Sequence, residues 1–131
     1  MDIKLKEIDK DTLKVGDIVG VARDVSCGWG SSFRHRRIYP VEIVKVTPKR
    51  TKIVSLQFGE HDKEEVFFKL NDNTVQENTL ALAFETLRDG MYKLGELQRN
   101  ERIRSISDED VLEASKHMKT IMEIMEKYKE K

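Results

Sequence analysis

One cysteine, Cys27, stands in 131 residues, beside two prolines and a single tryptophan. A lone thiol cannot close an internal disulfide, so no disulfide framework holds the fold and a reducing compartment is the default. No run approaches the ~20 consecutive apolar residues that a membrane-spanning helix needs, because charge interrupts every apolar stretch after a few positions. The opening Met-Asp-Ile-Lys lacks the apolar core of a signal peptide, which points to the cytoplasm. Net charge is also missing: 24 basic residues balance 24 acidic ones, unlike a protein built to condense nucleic acid.

Signatures of catalysis are absent too. The chain contains no P-loop, no G-x-G-x-x-G and no G-x-S-x-G sequence, and no C-x-x-C or H-x-x-x-H pair. Glu60-His61-Asp62 are neighbours on a turn and point in different directions, so they do not make a metal site. His117 lies among lysines and reads as a surface residue. Cys27 with His35 or His61 would need an activated thiolate and an orienting group, which no spacing announces. No catalytic residue, metal or cofactor is expected, and the chain reads as a non-enzymatic binding module.

What is present fits one small domain with a modest core, since 38% of residues are hydrophobic and 37% charged. Leu13-Lys14-Val15-Gly16-Asp17 leads into a β-rich run, which predicts a strand over 17–25. Residues 26–37, with Gly28, Gly30 and several serines, predict a long exposed loop. A strand over 38–47 has apolar residues on both faces, as a strongly curved small barrel requires. Pro48-Lys49-Arg50 turns the chain into a hairpin partner over 51–58. Another strand over 65–70 ends at Asn71-Asp72-Asn73.

Leu80, Leu82 and Phe84 alternate, which favours a last strand near 79–84, although Leu80, Phe84, Leu87, Met91 and Leu94 also fit a helix. Thr86, with Asp89 three residues later, reads as the cap of a helix over 87–104. Ser107 opens a second helix over 108–129, with Asp108, Glu109 and Asp110 at the positive end of its dipole. On that helix Val111, Ser115, Met118, Met122 and Met125 recur at spacings of 4 and 3, and Leu112, Ile121, Ile124 and Tyr128 widen the stripe. The broad face must be covered by the first helix, by the barrel or by a second copy of the chain. The fold class is therefore α+β, a small antiparallel barrel over 1–86 followed by a two-helix tail over 87–131.

Charge is uneven along the chain. From Val21 to Phe58, eight basic residues stand against Asp24 and Glu42, a local charge of +6 that leaves −6 elsewhere. Trp29, Phe33, Arg34, Arg36, Arg37 and Tyr39 lie together in this segment, and Lys49 and Arg50 extend it along the hairpin. An indole and rings can stack on bases while guanidinium groups bind phosphates, so nucleic acid is the first partner expected. Trp, Tyr and Arg are also hot-spot residues in protein recognition, and the methionines of the last helix suit adaptable contacts. In the bland alternative Trp29 plugs the end of the barrel and the arginines pair with the acidic helices.

The order of parts resembles a group of short bacteriophage- and prophage-encoded proteins with an SH3-like or KOW-like barrel. The resemblance rests on Leu13-Lys14-Val15-Gly16-Asp17-Ile18-Val19, on Tyr39-Pro40-Val41-Glu42-Ile43-Val44-Lys45-Val46, and on the strand, helix, short break and Ser-Asp-Glu-Asp helix that close the chain. It implies an SH3-like barrel that contacts nucleic acid or, alternatively, a host protein as an adaptor or inhibitor of a host complex.

Overall fold

Leu13, Val19, Val21, Val41, Ile43, Ile53 and Phe67 form the core, and their alternation along neighbouring strands determines which sheet face is inward. In the computed structural model, which describes residues 2–28 and 30–129, the strands are β1 (Glu7–Ile8), β2 (Ile18–Arg23), β3 (Ser26–Gly28), β4 (Ser31–Ser32), β5 (Arg37–Val46), β6 (Ile53–Ser55), β7 (Gly59–Glu60) and β8 (Phe67–Phe68). Helices α1 (Asp72–Arg99) and α2 (Asp108–Glu126) follow. The chain is α+β: a six-stranded antiparallel sheet in the order β1-β8-β2-β5-β6-β7, then two helices. It divides between Asp89 and Gly90 into two compact units.

The long strand β5 changes partner along its length. Arg37 to Glu42 pair with β2, whereas Ile43 to Val46 pair with β6 across an irregularity between Ile43 and Lys45. The extra residue shifts the phase of the strand, so Val46 joins Val41 and Ile43 against the core and Val44 faces out. Gly20 lets the strands close up here. A Cβ at that position would lie 3.0 Å from Ile38 Cγ2 and 3.0 Å from Leu70 Cδ2.

Two expectations fail. The residues 79–84 are not a strand but the middle of α1, and Thr86 caps nothing, since its hydroxyl donates to Leu82 O within the helix. Asn71, taken as part of a closing turn, is the cap. Its Oδ1 accepts from the backbone N–H groups of Asn73 and Thr74, while Thr74 Oγ1 accepts from Asn71 N. This reciprocal pair satisfies donors that the first turn leaves open. The second helix starts where the acidic sequence places it, with Ser107 Oγ accepting from Asp110 N.

The loop expected over 26–37 is not wholly exposed either. It carries the small β3–β4 ribbon, and His35 is buried. Among the described residues no helix is long and apolar enough to cross a membrane.

Candidate partner-binding surfaces

The first half of α1 lies along the basic segment, and the face it buries is polar. Thr74, Glu77 and Ala81 are its buried residues, spaced at 3 and 4, and Asn78, Phe84, Glu85 and Arg88 continue the same side of the helix. His35 Nδ1 donates to Glu77 Oε1 at 2.5 Å, both side chains 7% exposed. Asn78 Oδ1 accepts from Ile38 N at 3.0 Å, and Arg88 donates to Ser26 O at 2.7 Å. Phe33 stacks on Phe84, with centroids 4.1 Å apart and planes 11° from parallel. Leu82 and Leu87 of the same helix are exposed.

This contact occupies much of what the sequence marks as a binding loop. Arg37 pairs with Glu85 at 3.0 Å and its guanidinium lies over Tyr39. Arg36 lies over Phe68 and Arg34 over Phe33. Tyr39 is half-buried, its ring edge-on to Phe58. On the hairpin, Arg50 adopts a left-handed backbone with φ of 53° and donates to Lys10 O and Leu13 O, fastening the turn to the N-terminal segment. Lys49 and Arg34 remain exposed. Trp29, the segment's principal stacking candidate, lies outside the described residues.

A second polar cluster sits at the edge of the core. Ser55 Oγ lies 2.7 Å from His61 Nε2, His61 Nδ1 lies 3.0 Å from Glu65 Oε1, and Glu65 receives Arg23 at 2.7 Å. The proton assignment that satisfies all groups has His61 Nδ1 donating to Glu65 and Nε2 accepting from the Ser55 hydroxyl, whose oxygen accepts from Phe58 N. The connectivity is that of a serine–histidine–carboxylate relay, but Ser55 is 1% exposed. Its hydroxyl is closed to a substrate, and the cluster serves as a satisfied buried network. Burial pushes the Glu65 carboxyl up, but hydrogen bonds from Arg23 and His61, with the Arg23 charge, hold it below its ordinary value near 4.5. No sequence spacing marks this group, because Ser55 is a strand residue and His61 and Glu65 lie on a connection. Among the described residues no cluster of His, Cys, Asp and Glu suits a metal ion.

The tail has the opposite character. Helix α2 contains no buried residue. Leu112 is 67% exposed, Met122 62%, Met125 52% and Tyr128 78%, with Val111, Ile121 and Ile124 also open. Within the same unit the α1 residues Met91, Tyr92, Leu94 and Leu97 are exposed as well. Opposite the apolar stripe of α2 lie Glu109, Glu113, Lys116, His117 and Glu123, the solvated side of an amphipathic helix. No protein-family model, curated protein or solved structure matches this chain.

Proposed function

We propose that the chain is a non-enzymatic protein-binding module, in which an SH3-like barrel serves as the scaffold and the helical tail carries the contact surface. The barrel reading is supported by the strand order β8-β2-β5-β6-β7, a meander whose last strand returns beside its first, and by the way β5 passes from one partner to the other at its bulge. The exposed single thiol of Cys27 accords with a reducing, cytoplasmic setting.

The observation that carries the functional reading is the open apolar face of α2. Apolar stretches of this extent on a soluble domain mark an interaction site, and a 19-residue helix with no buried side chain gains little stability until something covers it. A photo-cross-linking residue in place of Met122, in the full chain expressed in cells, is expected to yield a protein adduct. Recovery of only uncross-linked chain would overturn the reading.

A second reading, contact with nucleic acid, keeps one specific support. Arg34, Lys45 and Lys49 are exposed and, among the described residues, have no carboxylate within ion-pair distance. The same cross-linker in place of Arg34 tests it. An adduct containing nucleic acid from that position would favour this reading over the first.

A further inference from the structure

Three cations converge where the β5–β6 hairpin meets the connection between β7 and β8. Lys10, Arg50 and Lys63, with Thr51, Ile53, His61 and Asp62, line a cavity of about 280 Å³ in the sheet unit, at the small end of the range for ligand sites. The three are tied together through main-chain carbonyls. Arg50 Nη1 donates to Lys10 O and Leu13 O, and Lys10 Nζ donates to Lys63 O. Like charges are thereby held around one space, with Lys10 and Arg50 half-buried. Among the described residues none of the three has a carboxylate within ion-pair distance.

The carboxylates nearby do not cancel this charge. Asp62 shares the wall, with its Oδ1 accepting from Glu64 N, and three cations against one carboxylate leave a net +2. Glu60 lies on the adjoining rim, 3.9 Å from Lys52. Asp9 and Asp11 flank Lys10 in sequence but do not line the cavity, and Asp9 Oδ1 accepts from Asp11 N. Both ring nitrogens of His61 are engaged by Ser55 and Glu65, so the imidazole offers a wall and no free donor.

We infer that this cavity binds a phosphate group, either the free anion or a small monoester. The donors left unspent have the matching chemistry. With Nη1 committed to two carbonyls, Arg50 keeps its Nε–Nη2 edge, a fork of two parallel N–H groups that has no acceptor among the described residues and fits two oxygens of a tetrahedral anion. The ammonium groups of Lys10 and Lys63 supply further donors, and the backbone N–H groups of Thr51 and Lys63 have no main-chain acceptor among the described residues. A doubly charged phosphate offsets the net +2 of the wall, whereas a carboxylate offsets half of it. The site belongs to the sheet unit, and it goes beyond the protein-binding reading of the tail without depending on it.

Amide NMR of the full chain tests the site, with inorganic phosphate exchanged for chloride at constant ionic strength. Saturable shifts are expected at residue 10 and across 50–52 and 61–63. Glycerol phosphate in a parallel titration distinguishes the two sources: tighter binding than inorganic phosphate assigns the site to a small ester, and equal or weaker binding assigns it to the free anion. Lys10→Gln and Lys63→Gln should each weaken phosphate binding about tenfold. Arg50→Lys, which keeps the charge and loses the fork, should weaken it at least as much. Arg50 also fastens the hairpin turn, so if Arg50→Lys disturbs the spectrum as a whole, the two glutamine variants decide.

Shifts that never saturate, or phosphate affinity unchanged in both glutamine variants, would overturn the site. A single-stranded oligonucleotide that moves these amides where inorganic phosphate and glycerol phosphate do not would also overturn it, in favour of nucleic acid. Neither result touches the cross-linking test at Met122, so this site and the tail reading fail separately.

Discussion

Glu77 Oε1 accepts a hydrogen bond from His35 Nδ1 where neither side chain is more than 7% exposed. The contact joins the segment before β5 to the second turn of α1, and it is one of the bonds by which the helix and the basic segment fold as one piece. Removing one partner leaves the other buried and unpaired. Glu77→Ala is therefore expected to destabilise the N-terminal unit by about 3 kcal/mol, whereas replacing both residues together with apolar ones costs much less. Urea denaturation of the two single variants and the double variant measures the coupling.

The Phe33 and Phe84 stack makes a separate prediction. Phe84→Ala removes a half-buried ring and the stacking partner of Phe33. It is expected to cost about 2 kcal/mol and to make the chain between Ser26 and Arg34 a preferred site for limited proteolysis. Phe84→Leu should retain most of the loss. Unchanged cleavage in the alanine variant would show that the stack does not hold the segment.

Acid sensitivity follows from Glu65. Its carboxyl is held below its ordinary value in the folded chain, so the ionised form favours folding. That contribution is complete above about pH 4.5 and is lost as pH falls through the lower folded value. Glu65→Gln should therefore be less stable than the wild type near neutrality, and the difference should shrink as the solution becomes more acidic. Denaturation midpoints of both proteins over descending pH check the sign.

Gly90 allows a gain. It lies inside α1, and a Cβ there would have nothing within 4 Å. Gly90→Ala is expected to raise helix stability by about 1 kcal/mol, read as increased helical ellipticity and slower amide exchange across 86–94.

Much of this architecture is legible in the sequence, and the failures have physical causes. The strands around Val19, Val41 and Ile53 announce themselves by β-branched residues, and Ser107 with its acidic followers marks the start of α2 to the residue. The start of α1 is hidden because Asn71-Asp72-Asn73 suits a turn as well as a cap, and only the hydroxyl of Thr74 at the third position distinguishes them. Of the hydrophobic residues read along α1, only Phe84 is placed against the basic segment. Leu82 and Leu87 are exposed, while the docked side is Thr74, Glu77, Asn78 and Ala81, whose partners are His35 and a backbone N–H. A polar interface of this kind carries no apolar period to detect. The clustering of Phe33, Arg36 and Arg37 was legible, but their engagement depends on Phe68, Phe84 and Glu85, which lie far along the chain.

The exposed apolar residues of α2 form the open face of the tail, whereas Phe33, Arg36 and Arg37 of the basic segment are engaged within the N-terminal unit. Amide NMR of the isotope-labelled full chain, recorded in buffer and in cell lysate, tests this most directly. Selective shifts and broadening are expected across 107–129 in lysate, with 30–38 unchanged. Shifts centred on 30–38 with a silent tail would contradict it.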